Sequence, residues 1–333
     1  MLTTETVSRL FSAFNGLNVM IIGDVMVDSY IWGNVERISP EAPVPIVTVE
    51  KRENRLGGAA NVALNIKSLG ANPILCSVIG NDTKGNEFFD LLTEESMSIE
   101  GIVRSNQRLT TTKFRVFGNH AQMLRVDEET TENLKKEEFV RLSERISGLL
   151  KSNNTDVIIF QDYDKGIITP ALIKKVVGLA KQKNIPVVVD PKKRNFLEYR
   201  EVTLFKPNLK EVRDGLNLDI EENNRKDVEK AVTRLKELLN AEIILNTLSS
   251  KGIFVKWNGG QQHISAHLRN ISDVSGAGDT VISVAALCLA KGVEPADMAA
   301  IANLAGGLVC EEVGVVPIDK NKLQDEVIRL LTR

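Results

Sequence analysis

Short apolar runs rich in β-branched residues recur along the chain, separated by stretches whose apolar residues fall at helical spacing. Residues 19–23, 74–79, 157–160, 186–190 and 242–246 read as buried strands, each brief, aliphatic and bounded by glycine or polar residues. Helical patterns run over 58–69, 86–95, 135–151, 170–183, 226–240, 295–312 and 319–331. This alternation predicts an α/β fold: a central, mainly parallel sheet flanked by helices on both faces, with right-handed crossovers. Two segments break the rhythm. Residues 29–54 carry no long helical pattern and hold Pro40, Pro43 and Pro45, while 30–32 and 45–49 look like strands. Residues 102–127 alternate, with Thr112, Phe114 and Val116 at strand spacing. These two insertions predict a small β-sheet that acts as a lid over a substrate site, a dimer contact, or both. Residues 252–257 and 261–267 flank Asn258-Gly259-Gly260, a hairpin signal that favours positive φ in the turn. No repeat or linker interrupts the chain, so residues 1–333 read as a single domain with its lid.

Composition narrows the class. Aromatic residues make up only 5%, so the core must be aliphatic, and a net charge of −2 gives no basis for a nucleic-acid partner. Cys76, Cys288 and Cys310 all lie in apolar runs and read as buried thiols of a reducing compartment. Glu5 and Arg9 fall within a helical pattern at the start, unlike a signal peptide. No uncharged apolar run reaches the ~18 residues of a membrane span. A cytoplasmic protein with no membrane partner is the expectation.

The candidate chemistry centres on Asp273-Val274-Ser275-Gly276-Ala277-Gly278-Asp279, followed by an apolar run over 280–290. With no bulk at Gly276, Ala277 and Gly278, backbone N–H groups can approach an anion, and a helix beginning there adds partial positive charge. Asp279 would stand beside a bound phosphate, able to take a proton from an attacking hydroxyl. The alternative is a glycine-rich turn that only leads into a helix. Gly57-Gly58-Ala59-Ala60-Asn61 opens an earlier helix; it either caps that helix or lets a polar ligand reach the backbone and Asn61. Asp24 and Asp28 follow the first strand, where sheets of this kind bind ligands; they read as sugar-hydroxyl acceptors or as capping residues. Asn208 and Glu211 share a helix face and read either as a capping pair or as support for Mg²⁺ through water.

Other chemistries lack their residues. Gly80 to Asn86 has the glycine spacing of a P-loop without its lysine and hydroxyl. No dinucleotide fingerprint follows the first strand, and no Gly-x-Ser-x-Gly elbow is present. His263 and His267 sit in a strand-like segment without further ligands, and the charged stretch 127–145 reads as a solvated helix face.

Taken together, these segments resemble the ribokinase-like, or PfkB, family of sugar kinases, nearly end to end. Asp273 to Thr280 is similar to the family's carboxy-terminal signature and Gly57 to Asn61 to its amino-terminal glycine signature. Residues 23–28, 37–45, Asp162-Tyr163, Lys165-Gly166, Asp190-Pro191-Lys192 and Pro207-Asn208-Leu209 with Glu211 resemble the branch that phosphorylates C1 of D-glycero-β-D-manno-heptose 7-phosphate, in the route to ADP-heptose of lipopolysaccharide. Gln161, Asp164, Ser283 and Val284 depart from the commonest pattern.

The resemblance implies ATP and Mg²⁺, with Asp279 as general base and the amides of Ser275, Gly276, Ala277 and Gly278 as anion hole. It implies that Asn208 and Glu211 support the nucleotide phosphates and the metal, Glu211 through water. Asp28, Gly57, Gly58 and Asn61 would orient the sugar, with Asp162 beside them. Lys113, Arg115, Arg125, Lys165 and Lys192 are candidates for the sugar phosphate. The resemblance also implies a homodimer joined through the lid and a monovalent cation, such as K⁺, near the anion hole. Members of the branch often carry a fused nucleotidylyltransferase, and a chain ending at Arg333 reads as the kinase part alone.

Overall fold

Helices and strands alternate as the apolar pattern predicts. The structure is a computed structural model that describes residues 2–152, 154–221 and 224–332. The first half comprises α1 (Thr4–Ala13), β1 (Asn18–Gly23), β2 (Val25–Ile38), β3 (Pro45–Gly58), α2 (Ala59–Ser68), β4 (Asn72–Gly80), α3 (Thr83–Glu94), β5 (Ile102–Ser105), β6 (Thr112–Gly118), β7 (Ala121–Glu128) and α4 (Lys136–Ser152). The second half comprises β8 (Val157–Gln161), α5 (Pro170–Gln182), β9 (Val187–Asp190), β10 (Leu204–Phe205), α6 (Leu209–Leu216), α7 (Arg225–Leu239), β11 (Ile243–Thr247), β12 (Ile253–Trp257), β13 (Gly260–Ile264), α8 (Ala277–Ala290), α9 (Pro295–Val309) and α10 (Lys320–Leu331).

Among the described residues the large sheet runs in the order β13-β12-β11-β10-β9-β8-β1-β4-β5. It is parallel from β11 through β5, and the β12–β13 hairpin adds antiparallel strands at one edge. Alternation along β1 divides the core. Val19 and Ile21 face one apolar cluster with α1, α2, α3, α8, α9 and α10, whereas Met20 and Ile22 face a second cluster with α4, α5, α6 and α7. Because both faces are covered, the central strands are almost wholly apolar. Polar residues gather just beyond their carboxyl ends: Asp24 after β1, Gln161 at the end of β8, Asp190 at the end of β9 and Lys206 after β10. Cys76, Cys288 and Cys310 are buried free thiols. Among the described residues no helix is long and apolar enough to cross a membrane.

The small sheet has the order β3-β2-β6-β7; β2 pairs antiparallel with β3 and parallel with β6, and β6 pairs antiparallel with β7. It draws on residues 25–58 and 112–128. The sequence reading began its second arm at residue 102, but 102–105 form β5 beside β4 in the large sheet. Ile102 and Val103 are buried there, and so short an apolar run carries no sign of which sheet it joins. The 252–267 hairpin pairs Trp257 with Gly260, yet neither Asn258 nor Gly259 has positive φ, so the turn is not of the mirror-image type.

Candidate active site

Asp279 lies in the first turn of α8, and its carboxylate is buried where α2, α8 and the end of β8 meet. Asn61 Nδ2, from the first turn of α2, donates to Oδ2 at 2.7 Å. Tyr163 Oη and Gln161 Nε2 donate to Oδ1 at 2.7 and 3.2 Å. The next residue, Thr280, donates through Oγ1 to Asn65 Oδ1, one turn beyond Asn61 on α2, at 3.0 Å, so two polar links tie α8 to α2. Burial pushes the Asp279 carboxyl up to about 6; the Asn61 and Tyr163 hydrogen bonds pull down, Asp190 adds to the rise and Lys206 opposes it. A carboxylate poised in that range can both exist ionised at neutral pH and accept a proton.

Ahead of Asp279, Gly276 caps α8 in the left-handed region (φ 81°), which turns the loop sharply. The Gly278 amide is in the first turn, where no intrahelical carbonyl is available to it. The Ser275 amide is not free for an anion, because it donates to Asp273 Oδ1 at 2.9 Å. Asp273 Oδ2 in turn accepts from the Gly314 amide at 3.1 Å, so this aspartate braces the loop. A buried ion pair, Lys206 Nζ to Asp190 Oδ2 at 2.9 Å, lies beneath it: a Cβ on Gly278 would sit 3.6 Å from that ammonium.

A cavity of about 760 Å³ opens from Gly278 and runs between the β11–β12 connection and the α8–α9 pair, past Asn208, Leu248, Val274, Val281 and Gly306. Its apolar walls and phosphate-ready end suit a nucleotide. Asn208 and Gly278 are sequence candidates, whereas Leu248, Val281 and Gly306 belong to no motif read in the sequence, although the Gly306-Gly307 pair inside a strong helical pattern is a signal for the last of them.

On the other side, strand register organises the small sheet. Arg55, Asp28, Lys113 and Asp127 form one cross-strand row and Glu53, Tyr30, Arg115 and Arg125 the next, two residues along and so on the same face. Arg115 binds Asp28 at 2.6 Å, Arg125 binds Asp127 through two nitrogens at 2.8 and 2.7 Å, and Lys113 reaches Asp127 at 3.2 Å. Glu129 joins the cluster by binding Lys165 at 2.7 Å and Lys113 at 3.5 Å. Beside the charges, Tyr30, Trp32 and Phe117 stack, with centroids 6.0 Å apart for the first pair and 4.2 Å for the second. Gly57 leaves room for Asp28, since a Cβ there would come 2.3 Å from Asp28 Oδ2.

Other sequence candidates sit apart. Asp162 accepts from Tyr199 Oη at 2.6 Å, Asn195 Nδ2 at 3.1 Å and the Asp164 amide at 2.9 Å, all of them internal partners. Its carboxylate therefore serves the loop after β8 and is not presented to a sugar. Asp24 is engaged likewise, accepting the amides of Tyr163, Lys165 and Ile167 at 2.8, 3.2 and 3.1 Å; burial, with Asp162 nearby, pushes it up to about 6. Asn208 and Glu211 form a reciprocal capping box on α6, both bonds 2.8 Å, and Glu211 Oε1 also binds Lys192 at 2.5 Å. Burial works against the Lys192 ammonium, yet Asp190, Glu211 and Asp279 hold it above its ordinary range. Among the described residues no group of three His, Cys, Asp or Glu could hold a metal ion. Glu211 Oε2 accepts the Asn208 amide and Oε1 binds Lys192, so this carboxylate would meet Mg²⁺ through water.

Comparison with known proteins shows the family. Residues 17–321 match the family described as pfkB family carbohydrate kinase. The chain is 37% identical over 311 residues to the bifunctional protein HldE of Geobacter sulfurreducens, covering 93% of this chain and 63% of that protein. It is 38% identical over 306 residues to HldE of Koribacter versatilis, covering 92% and 62%. It thus spans less than two thirds of the length of these relatives. Phosphofructokinase-2 from Escherichia coli in complex with potassium superposes with a TM-score of 0.79 at 18% identity, covering 96% of this chain and all of that one. Ribokinase from Arabidopsis thaliana, complexed with ribose and ATP, does so at 0.70 and 16%, covering 93% and 99%. The fold is therefore ribokinase-like, and the chain belongs to the PfkB family of carbohydrate kinases, phosphotransferases that act on a sugar hydroxyl.

Proposed function

We propose that this chain uses ATP to phosphorylate the C1 hydroxyl of D-glycero-β-D-manno-heptose 7-phosphate. The observation that carries the reading is the position of Asp279, between a nucleotide-sized cavity that ends at Gly278 and a sheet face lined with cations. The motif resemblance and the HldE relatives at 34–38% identity support the heptose branch.

In the proposed reaction Asp279 accepts the proton of the sugar hydroxyl as its oxygen attacks the γ-phosphorus in line. A new P–O bond forms, the bond to the bridging oxygen of ADP breaks, and the amides of Gly276 and Gly278 stabilise the developing charge, the Ala277 amide being engaged by the Val274 carbonyl at 3.4 Å. Lys206 and Lys192, which face Asp279 and Asp190, stand on the phosphate side. Glu211 would hold Mg²⁺ through water, and the metal would supply charge neutralisation for the nucleotide phosphates. Asp28 and Asn61 orient sugar hydroxyls. Lys113, Arg115, Arg125 and Lys165 exchange their carboxylate partners for the sugar phosphate, which bidentate arginines suit well. Leu124 and Val126, 55% and 44% exposed on the opposite face of the small sheet, support a homodimer joined there. A monovalent cation near the anion loop belongs to the same proposal, and dependence of kcat on K⁺ checks it.

A substrate panel with ATP tests the reading. Heptose 7-phosphate should exceed fructose 6-phosphate, ribose and adenosine in kcat/KM, and an unphosphorylated sugar at the head of the panel would overturn the sugar-phosphate assignment. Asp279→Asn should lower kcat by at least ~10²-fold with ATP binding retained.

A further inference from the structure

Asp279 has a second layer of support that its role as base does not by itself require. Gln161 Nε2 donates to Asp279 Oδ1 and, also at 3.2 Å, to Asp190 Oδ2. An amide nitrogen carries two hydrogens and no charge, so one side chain can bind two carboxylates with no proton to lose. Gln161 is 2% exposed, and its Oε1 is buried without a partner. The two carboxylates, with the Tyr163 hydroxyl beside them, therefore account for the amide's orientation. Tyr163 adds its hydroxyl to the same oxygen, and its backbone amide is fastened at 2.8 Å to the buried Asp24. Both residues come from the end of β8 or the loop after it, so strand and loop deliver two donors to one side of the base.

We propose that Gln161 and Tyr163 are the positioning residues of the base: they hold Oδ1, leaving Oδ2, the oxygen beside Asn61, to receive the acceptor proton. The proposal rests on the reading of Asp279 as general base. The charged groups facing Asp279 are Asp190 at the end of β9, Lys192 just beyond it and Lys206 after β10. Of these, Asp190 is the one that disfavours ionisation, and Gln161 stands between it and the base. Gln161 thus separates like charges where a carboxylate would add a third.

The test compares pH profiles of kcat and kcat/KM for wild type, Tyr163→Phe, Gln161→Met and Gln161→Glu. Losing one donor to a carboxylate should move the acid limb up by about one pH unit. It should also lower kcat roughly tenfold near neutral pH through loosened geometry, with KM for ATP unchanged. Gln161→Glu should move the limb furthest. Thermal unfolding identifies the variants that fold; if Gln161→Met does not, Tyr163→Phe decides. Wild-type limbs and kcat in the folded variants, with Asp279→Asn inactive, would overturn the proposal and leave the base reading standing. Normal turnover by Asp279→Asn would remove both.

Discussion

Gly58→Ala is the perturbation that best tests how the start of α2 sets the site. Gly58 caps α2 at φ 61° and ψ −133°, a region essentially confined to glycine. An added Cβ would lie 2.9 Å from Met26 Cε, which can swing away, and 2.4 Å from the Asp24 carbonyl oxygen, which cannot. That carbonyl accepts the Ala59 amide at 2.9 Å, and the Asp24 carboxylate is bonded to three further amides. Backbone strain of about 1–3 kcal/mol, with a forced shift of fixed backbone, gives a loss of roughly 3 kcal/mol. Unfolding entropy of about 2.1 cal/mol/K per residue comes to roughly 0.7 kcal/mol/K over 333 residues, so Tm should fall by about 4 °C. Activity should fall further than stability. Asn61, three residues along, holds Asp279 at 2.7 Å, and misplacement by about 1 Å costs roughly 10²-fold in kcat. Thermal melts and steady-state kinetics read both effects. Gly148→Ala is the internal control: it lies within α4 with nothing near its added Cβ, and should raise Tm by about 1 °C. A Gly58→Ala protein that melts within about 1 °C of wild type and turns over normally refutes the reasoning.

Asp279→Asn should melt higher than wild type at neutral pH. Burial raises the folded-state pKa of Asp279 from 3.8 to about 6, so the stability it contributes is full below about pH 4 and lost as pH rises through about 6. A substitution that is neutral at every pH should gain about 1–3 kcal/mol near pH 7.5, and a gain that does not shrink on acidification would contradict the burial argument. Asp24→Ala should cost roughly 3 kcal/mol and most of the activity, because the amides of Tyr163, Lys165 and Ile167 lose their acceptor and Tyr163 leaves the base; unfolding and kcat measured together check this. Gly306→Val, filling the cavity beside Val281, should raise KM for ATP roughly tenfold or more and leave KM for the sugar within about twofold.

Particular residues show how much was legible in the chain. The carboxylate at 279 and the amide at 61 stood in contiguous, glycine-marked motifs, and the two meet at 2.7 Å. The Asn208/Glu211 spacing allowed either a cap or a metal support, and the helix start it belongs to makes the cap outright. The family resemblance put Asp162 beside the sugar, but Tyr199 and Asn195 occupy it, and nothing in the local sequence announces partners more than thirty residues away. The family resemblance put the Ser275 amide in the anion loop, but Asp273, two residues back, accepts that amide in a local Asx-type turn.

Periodicity and short motifs by themselves determined the alternating elements, the parallel sheet and the stretch of chain in which the phosphate loop and the base are proposed. These features depend on residues close in sequence and on apolar patterns that every buried strand must carry. Tertiary structure decided which cations share a face, which carboxylates are consumed internally, where the cavity proposed for the nucleotide lies and what holds Asp279. Register is the reason. Arg115 meets Asp28 because β6 pairs with β2 across 87 positions, and Gln161 meets Asp190 because β8 and β9 lie side by side.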